Sequence, residues 1–334
     1  MPNVERGRPP GPVRGAGERP GIYSNPRFGD GFREPGPTGR IGGAHVLLAE
    51  VAHRAQDVAS EPQPAAPDTL LEEPLAKLYD QIHLKALDTP LFLSAGPRPD
   101  DVMQKGLENS PVGAILVAMA HATPRRVVNM ITAIPGEVLC RYRLGQRTDT
   151  LAAPRSFRVT FAGKPPQRVS NLLYQDSDGI AFTQSDNNCS WMAFIEKAYA
   201  TAQPRGYVTL SRIDSGTMGE LTTNDVFEEM VGAYKLIHMQ GETASLYVGD
   251  HVSALKPEQV GDILLDAPYR PTIASSSELP GSEVAASRAY AVIEYRRDWM
   301  VLRDPRNIDD PELRMKFEDF RKSFVAVFQA DNTE

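Results

Sequence analysis

Apolar residues recur at three- and four-residue spacing over 70–87, 111–122, 125–134, 190–202 and 225–238, and each stretch is predicted to be a helix. A further helix is predicted over 44–60. There Leu47, Val51, Ala55 and Val58 share one face, with Glu50, Arg54 and Gln56 elsewhere on the surface. Strand-like runs fall at 138–144, 157–162, 179–182, 244–248, 289–295 and 299–302. Helical pattern dominates the first half and strands accumulate in the second. Strands after helices, without strict alternation, predict an α+β fold. There is no internal repeat.

The first 43 residues break this pattern. They are rich in Gly, Pro and Arg and bury almost nothing. Seven Arg stand against four acidic residues there, a local excess of +3, which leaves −10 for the rest of a chain whose net charge is −7. Such a segment cannot offset its own ordering entropy and is expected to be disordered alone. It nonetheless carries Ile22, Tyr23, Phe28, Phe32 and Ile41. Apolar anchors along a flexible basic strand suit a docking arm; a plain solvated tail is the alternative. Pro62, Pro64 and Pro67 mark a linker after the 44–60 helix, so 44–67 reads as helix plus linker. The main domain starts near Asp68.

Composition narrows the functional classes. Apolar residues make up 41% and charged residues 24%, ordinary for a soluble domain. The acidic balance argues against a dedicated nucleic-acid binder, which needs clustered Lys and Arg. Two cysteines, Cys140 and Cys189, suggest neither a disulfide framework nor a Cys-rich zinc site. No apolar run has the length of a membrane helix, and no signal-peptide pattern opens the chain. A cytoplasmic protein, or one packed within an assembled particle, is the expectation, with no cofactor.

Four segments carry more specific information. The first runs Asp101-Val-Met-Gln-Lys-Gly-Leu-Glu-Asn-Ser110-Pro-Val-Gly-Ala-Ile-Leu116. The second is Trp191-Met-Ala-Phe-Ile-Glu-Lys-Ala-Tyr-Ala200. The third is Arg288-Ala-Tyr-Ala-Val292, followed by Met300-Val-Leu-Arg-Asp-Pro-Arg306. The fourth is Met315-Lys-Phe-Glu-Asp-Phe-Arg-Lys-Ser-Phe324. In this order, over about residues 90–325, they resemble the catalytic core of calpain-type, papain-like cysteine proteases. The resemblance implies a two-lobe core with a helical lobe over 68–230, an antiparallel β-rich lobe over 231–334 and an extended N-terminal arm. It places Gln104 at the oxyanion donor and Ser110 at the catalytic cysteine. Arg288 falls on the catalytic histidine and Asp304 on the orienting asparagine.

At those positions the protease chemistry has lost its parts. A papain-like enzyme needs a thiolate, stabilised by a helix N-terminus and a neighbouring imidazolium. A serine hydroxyl is far less acidic and needs a positioned base. A guanidinium keeps its proton and cannot be that base. Gln104, Ser110, Arg288 and Asp304 therefore read as vestigial, with no catalytic, cofactor or metal residue. Ser110 followed by Pro111 suits a helix start, with serine as cap and proline first in the helix. Arg288 and Asp304, of opposite charge, are expected to pair across the former cleft. Gln104 is expected to serve packing or hydrogen bonding.

Among other candidates, His121, His238 and His251 lack a partner motif for a substitute base. Cys189 precedes Ser190 and Trp191, but the Glu-Lys-Ala-Tyr-Ala that follows puts it before a different helix from Ser110. Cys140 is expected to be buried in a strand. Proline spacing at Pro9 to Pro12 is what so Pro-rich a segment gives by chance. The leading expectation is a non-catalytic pseudoprotease that binds protein subunits of a larger assembly, a virion or other particle, through its arm. A Ser110-dependent hydrolase is the rival from another class. A secreted effector or decoy that captures peptides in the old cleft is the third reading.

Overall fold

The chain divides into two units, Met1–Pro64 and Ala65–Glu334. The computed structural model describes residues 82–331 apart from 88, 135–138, 145, 146, 153–155, 178, 215–220, 282, 308 and 310, with the backbone alone at 71–72, 139–144 and 147–152. The expected arm over 1–43, the expected helix over 44–60 and the proline linker lie outside the described residues.

Among the described residues the fold is mixed α+β, with mainly antiparallel sheets. Nine short strands come first: β1 (Leu71–Glu72), β2 (His83–Ala86), β3 (Ile131–Ile134), β4 (Leu139–Leu144), β5 (Arg147–Ala152), β6 (Ser156–Val159), β7 (Gln167–Ser170), β8 (Leu172–Asp176) and β9 (Gly179–Ile180). They form three small sheets, β1-β4-β5, β2-β8-β9 and β3-β6-β7. Helices α1 (Ser110–Ala122), α2 (Pro124–Met130), α3 (Trp191–Thr201), α4 (Tyr207–Leu210) and α5 (Thr223–Val231) lie in the same half. The second half holds β10 (Tyr234–Gln240), β11 (Thr243–Val248), β12 (His251–Leu255), α6 (Pro257–Leu264), β13 (Thr272–Ser276), β14 (Ala289–Arg296), β15 (Trp299–Arg303), β16 (Glu312–Lys316), α7 (Phe317–Ser323) and β17 (Phe324–Ala330). Its eight strands form one antiparallel sheet, in the order β12-β11-β10-β17-β13-β14-β15-β16.

That sheet divides the core in two, because its side chains alternate between faces. Ile273, Ala291 and Phe328 are in register across three strands and belong to the core shared with α1, α3 and α5. One residue along, Ala274, Tyr290 and Val327 are also in register and belong to the core under α6 and α7. Helix α1 is buried from Ser110 to Ala120, on every side. A helix apolar all round belongs in an interior. It packs on β13, β14, α2 and α5. A Cβ on Gly113 would stand 3.0 Å from the Pro305 side chain, so the loop after β15 crosses the helix with little room to spare.

Several helices expected from spacing are interrupted. The stretch 70–87, expected as one helix, contains β1 and β2 instead. Ile82-His83-Leu84-Lys85 alternates apolar with polar, and β2 pairs with β8 on that period. The helix expected over 125–134 stops at Met130, and Ile131–Ile134 pairs with β6. Ile131, Thr132 and Ile134 are β-branched and favour a pleated surface. The helix expected over 225–238 stops at Gly232, whose φ of +95° breaks it, and β10 follows. The expected strand over 138–144 appears as β4, while the side chain of Cys140 lies outside the described residues.

Candidate functional site

Helix α1 begins at Ser110, which is fully buried. Its hydroxyl does not cap the helix, contrary to expectation. The N-cap is Asn109, and no side chain of its own caps the helix by hydrogen bond. A residue with no motif around it, Asp214, does that work from outside. Its carboxylate accepts the Ser110 N–H at 2.9 Å and 3.2 Å and the Ser110 Oγ–H at 2.7 Å. The Ser110 Oγ also accepts the Ala289 N–H at 2.9 Å, fixing α1 to the start of β14. Burial pushes the Asp214 carboxyl above its ordinary range, while the Ser110 bonds and the Arg306 charge pull it down.

From Asp214 a line of alternating charges crosses the site. Asp214 Oδ2 is 3.8 Å from Arg306 Nη1. The Arg306 N–H donates to Asp304 Oδ1 at 2.9 Å, and Asp304 Oδ2 is 3.5 Å from Arg288 Nη1. Arg288 and Asp304 thus pair as their charges suggested. Arg303, next in the chain, reaches Asp100 at 2.9 Å and ties this loop to the turn before α1.

Gln104 is buried, and its amide points elsewhere. Gln104 Nε2 donates to the Leu107 carbonyl at 2.6 Å and to Asn109 Oδ1 at 2.9 Å. Its N–H donates to the Pro305 carbonyl at 2.8 Å. Asn109 Nδ2 in turn donates to Glu196 Oε1 at 2.8 Å. Glu196 also takes the Thr183 hydroxyl at 2.6 Å and the Thr183 N–H at 3.0 Å. Full burial raises its pKa against those bonds.

The rest of α3 is anchored in the same manner. Trp191 Nε1 donates to Asp101 Oδ2 at 3.0 Å. Lys197 Nζ donates to Ser170 Oγ at 2.8 Å and to the Leu172 carbonyl at 2.6 Å. The Tyr199 hydroxyl donates to Glu229 Oε2 at 2.7 Å. The polar letters of Trp-x4-Glu-Lys-x-Tyr are therefore buried with partners, as a densely packed interior demands.

A cavity of about 190 Å³ opens at Ser110 and Asp214, lined also by Thr223, Ser275, Ser276 and Arg288. A second, of about 470 Å³, is lined by Arg288, Tyr290, Asp304 and Arg306. Arg288 borders both. No histidine lines either cavity. His121 sits at the far end of α1, roughly 16 Å along the axis from Ser110 at 1.5 Å per residue, and its Nε2 bonds the Ile293 carbonyl at 3.0 Å. His238 lies within β10, and His251 opens the edge strand β12. Cys189 is a buried thiol pushed up to about 11 by desolvation, the opposite of a reactive one. Among the described residues no group of His, Cys, Asp and Glu could hold a metal, and no helix is long and apolar enough to cross a membrane.

No protein-family profile matches this chain, and no curated protein matches it significantly.

Proposed function

We propose that this chain is a catalytically inactive relative of calpain-type, papain-like proteases, retained as a protein-binding module of a larger assembly. One observation carries the inactive reading. The Ser110 oxygen is fully buried and engaged on two sides, by the Asp214 carboxylate at 2.7 Å and the Ala289 N–H at 2.9 Å. A nucleophile must present its oxygen to an incoming carbonyl, beside a base and an oxyanion donor. Here a guanidinium stands where the imidazole would be, and the Gln104 amide is committed to Leu107 and Asn109. The family reading draws support from a helix that starts at Ser110 and abuts the strand start at Arg288 and Ala289, with Asp304 just after the next strand. Binding to partner subunits is assigned to residues 1–60, on their sequence alone.

The rival hydrolase has one feature in its favour, Asp214 as a base in contact with the Ser110 hydroxyl. Incubating the purified chain with a fluorogenic peptide library separates the two. No cleavage above that of Ser110→Ala is expected. Turnover lost on Ser110→Ala or Asp214→Asn would establish the hydrolase. For the assembly role, deleting residues 1–60 is expected to release the chain from particles it co-purifies with, and unchanged association would remove that role.

A further inference from the structure

We propose that the cavity beside Arg288 is a binding site for a single carboxylate carried by an acidic peptide segment. The inference rests on the non-catalytic reading, because it gives the residue at the base position a recognition role.

The guanidinium is the first ground. Arg288 Nη1 makes one long contact, 3.5 Å to Asp304, and its remaining N–H donors meet no acceptor among the described residues. A guanidinium presents five donors in a planar fork that fits a carboxylate bidentately. Arg288 is about one-third exposed and borders both cavities, so its open side faces space rather than core.

The surrounding groups are the second ground. Ser275 lines the smaller cavity, and its hydroxyl is shielded from solvent with no partner. Ser287 and Thr223 line the same cavity, and the Ser276 hydroxyl accepts the Arg288 N–H at 2.9 Å and donates to the Ala285 carbonyl at 2.7 Å. Ser287, next to Arg288 in the chain, has a left-handed backbone conformation, with φ of +53°. Non-glycine residues adopt that region at a cost and concentrate where a site demands it.

Charge and size choose the ligand. Of the charged groups that line the smaller cavity, Arg288 is matched by Asp214, while Asp304, Arg306 and Glu283 line the larger one. A doubly charged phosphate would meet two carboxylates, whereas a single carboxylate replaces Asp304 against the fork. A cavity of about 190 Å³ takes one acidic side chain or chain terminus, not a folded surface.

The test is an NMR titration of the full chain, read at the Ala289 amide and the Arg288 side-chain N–H. Three probes are used: N-acetyl-Gly-Glu-Gly-amide, N-acetyl-Gly-Gly-Gly with a free carboxylate, and inorganic phosphate. At least one peptide is expected to give saturable shifts, and phosphate weaker ones. Response to the first peptide identifies an acidic side chain as ligand, and response to the second a chain terminus. Arg288→Ala is expected to weaken binding at least tenfold. Asp304→Asn keeps the Oδ1 acceptor for Arg306 yet removes the competing charge, and is expected to tighten binding severalfold. The proposal is overturned by no shifts with either peptide, by phosphate binding more tightly than both, or by affinity that Asp304→Asn leaves unchanged. That last variant decides the matter even if Arg288→Ala does not fold. Cleavage of the glutamate peptide during titration would instead overturn the inactive reading and leave the site's affinity measurable.

Discussion

Ser110 Oγ stands 2.7 Å from Asp214 Oδ1, although the two residues are 104 apart in the chain. The first N–H groups of a helix lack intrahelical acceptors and carry partial positive charge. Asp214 supplies both an acceptor and a negative charge at that end of α1, and Arg306 balances it. Ser110 is thereby a joint between a helix, a strand and a distant loop.

This arrangement has a pH signature. The Asp214 pKa is raised above its ordinary 3.8, chiefly by desolvation. The folded state then holds this proton to higher pH than the unfolded state does. Stability from this group is greatest in acid and declines as pH rises from about 3.8 through the raised value. In Asp214→Asn that component should vanish. Urea midpoints of both proteins between pH 3 and pH 8 provide the comparison. The wild-type advantage should shrink as pH rises, and an advantage that grows would refute the assignment.

Glu196 is predicted to be the costliest single polar truncation. Its removal leaves Asn109 Nδ2 and both Thr183 donors buried and unpaired. At roughly 1–3 kcal/mol for each orphaned group, Glu196→Ala should cost about 3 kcal/mol or more. Glu196→Gln retains one carbonyl acceptor and should cost less. Equilibrium denaturation that places Gln at or below Ala would contradict this network.

How far the sequence disclosed the fold follows from which forces are local. Helices α1 and α3 were legible within a residue or two, because long apolar runs with matching starts leave little choice. The β14–β15 pair was legible from two β-rich runs separated by a short polar break. The strand over 234–240 was not. Its Tyr234 and Ile237 continue the three- and four-residue spacing of Phe227, Met230 and Val231 in α5, and only Gly232 announces the stop. The strand over 83–86 falls in a stretch that reads as helix because Ile82 continues the three- and four-residue spacing of Leu71, Leu75 and Leu78. At the site, Arg288 and Asp304 were found through their place in a motif. Asp214 was missed because nothing in its neighbourhood of sequence marks it, and its role exists only once α1 and the 207–214 segment meet.

The hairpin joining β14 to β15 offers a stabilising change. Its two loop residues, Arg297 and Asp298, both have positive φ, +50° and +70°. Two such residues form the mirror-image turn that favours Asn-Gly. Replacing Arg297 by Asn and Asp298 by Gly should raise stability by about 0.5–1 kcal/mol through relief of that backbone cost. The Asp298 carbonyl, which accepts the Phe317 N–H at 2.9 Å, is preserved by the change. A lowered midpoint in thermal denaturation would show that the Arg297 and Asp298 side chains matter more than their backbone.

The inactive reading stands or falls on whether the hydroxyl at position 110 can react. Intact-mass spectrometry after exposure to a fluorophosphonate probe asks this directly, with Ser110→Ala alongside. An unmodified wild-type chain is the result expected of an oxygen held between a carboxylate and a backbone amide. A probe adduct mapped to Ser110, and absent when Asp214 is replaced by Asn, would mean that the pair is a working nucleophile and base.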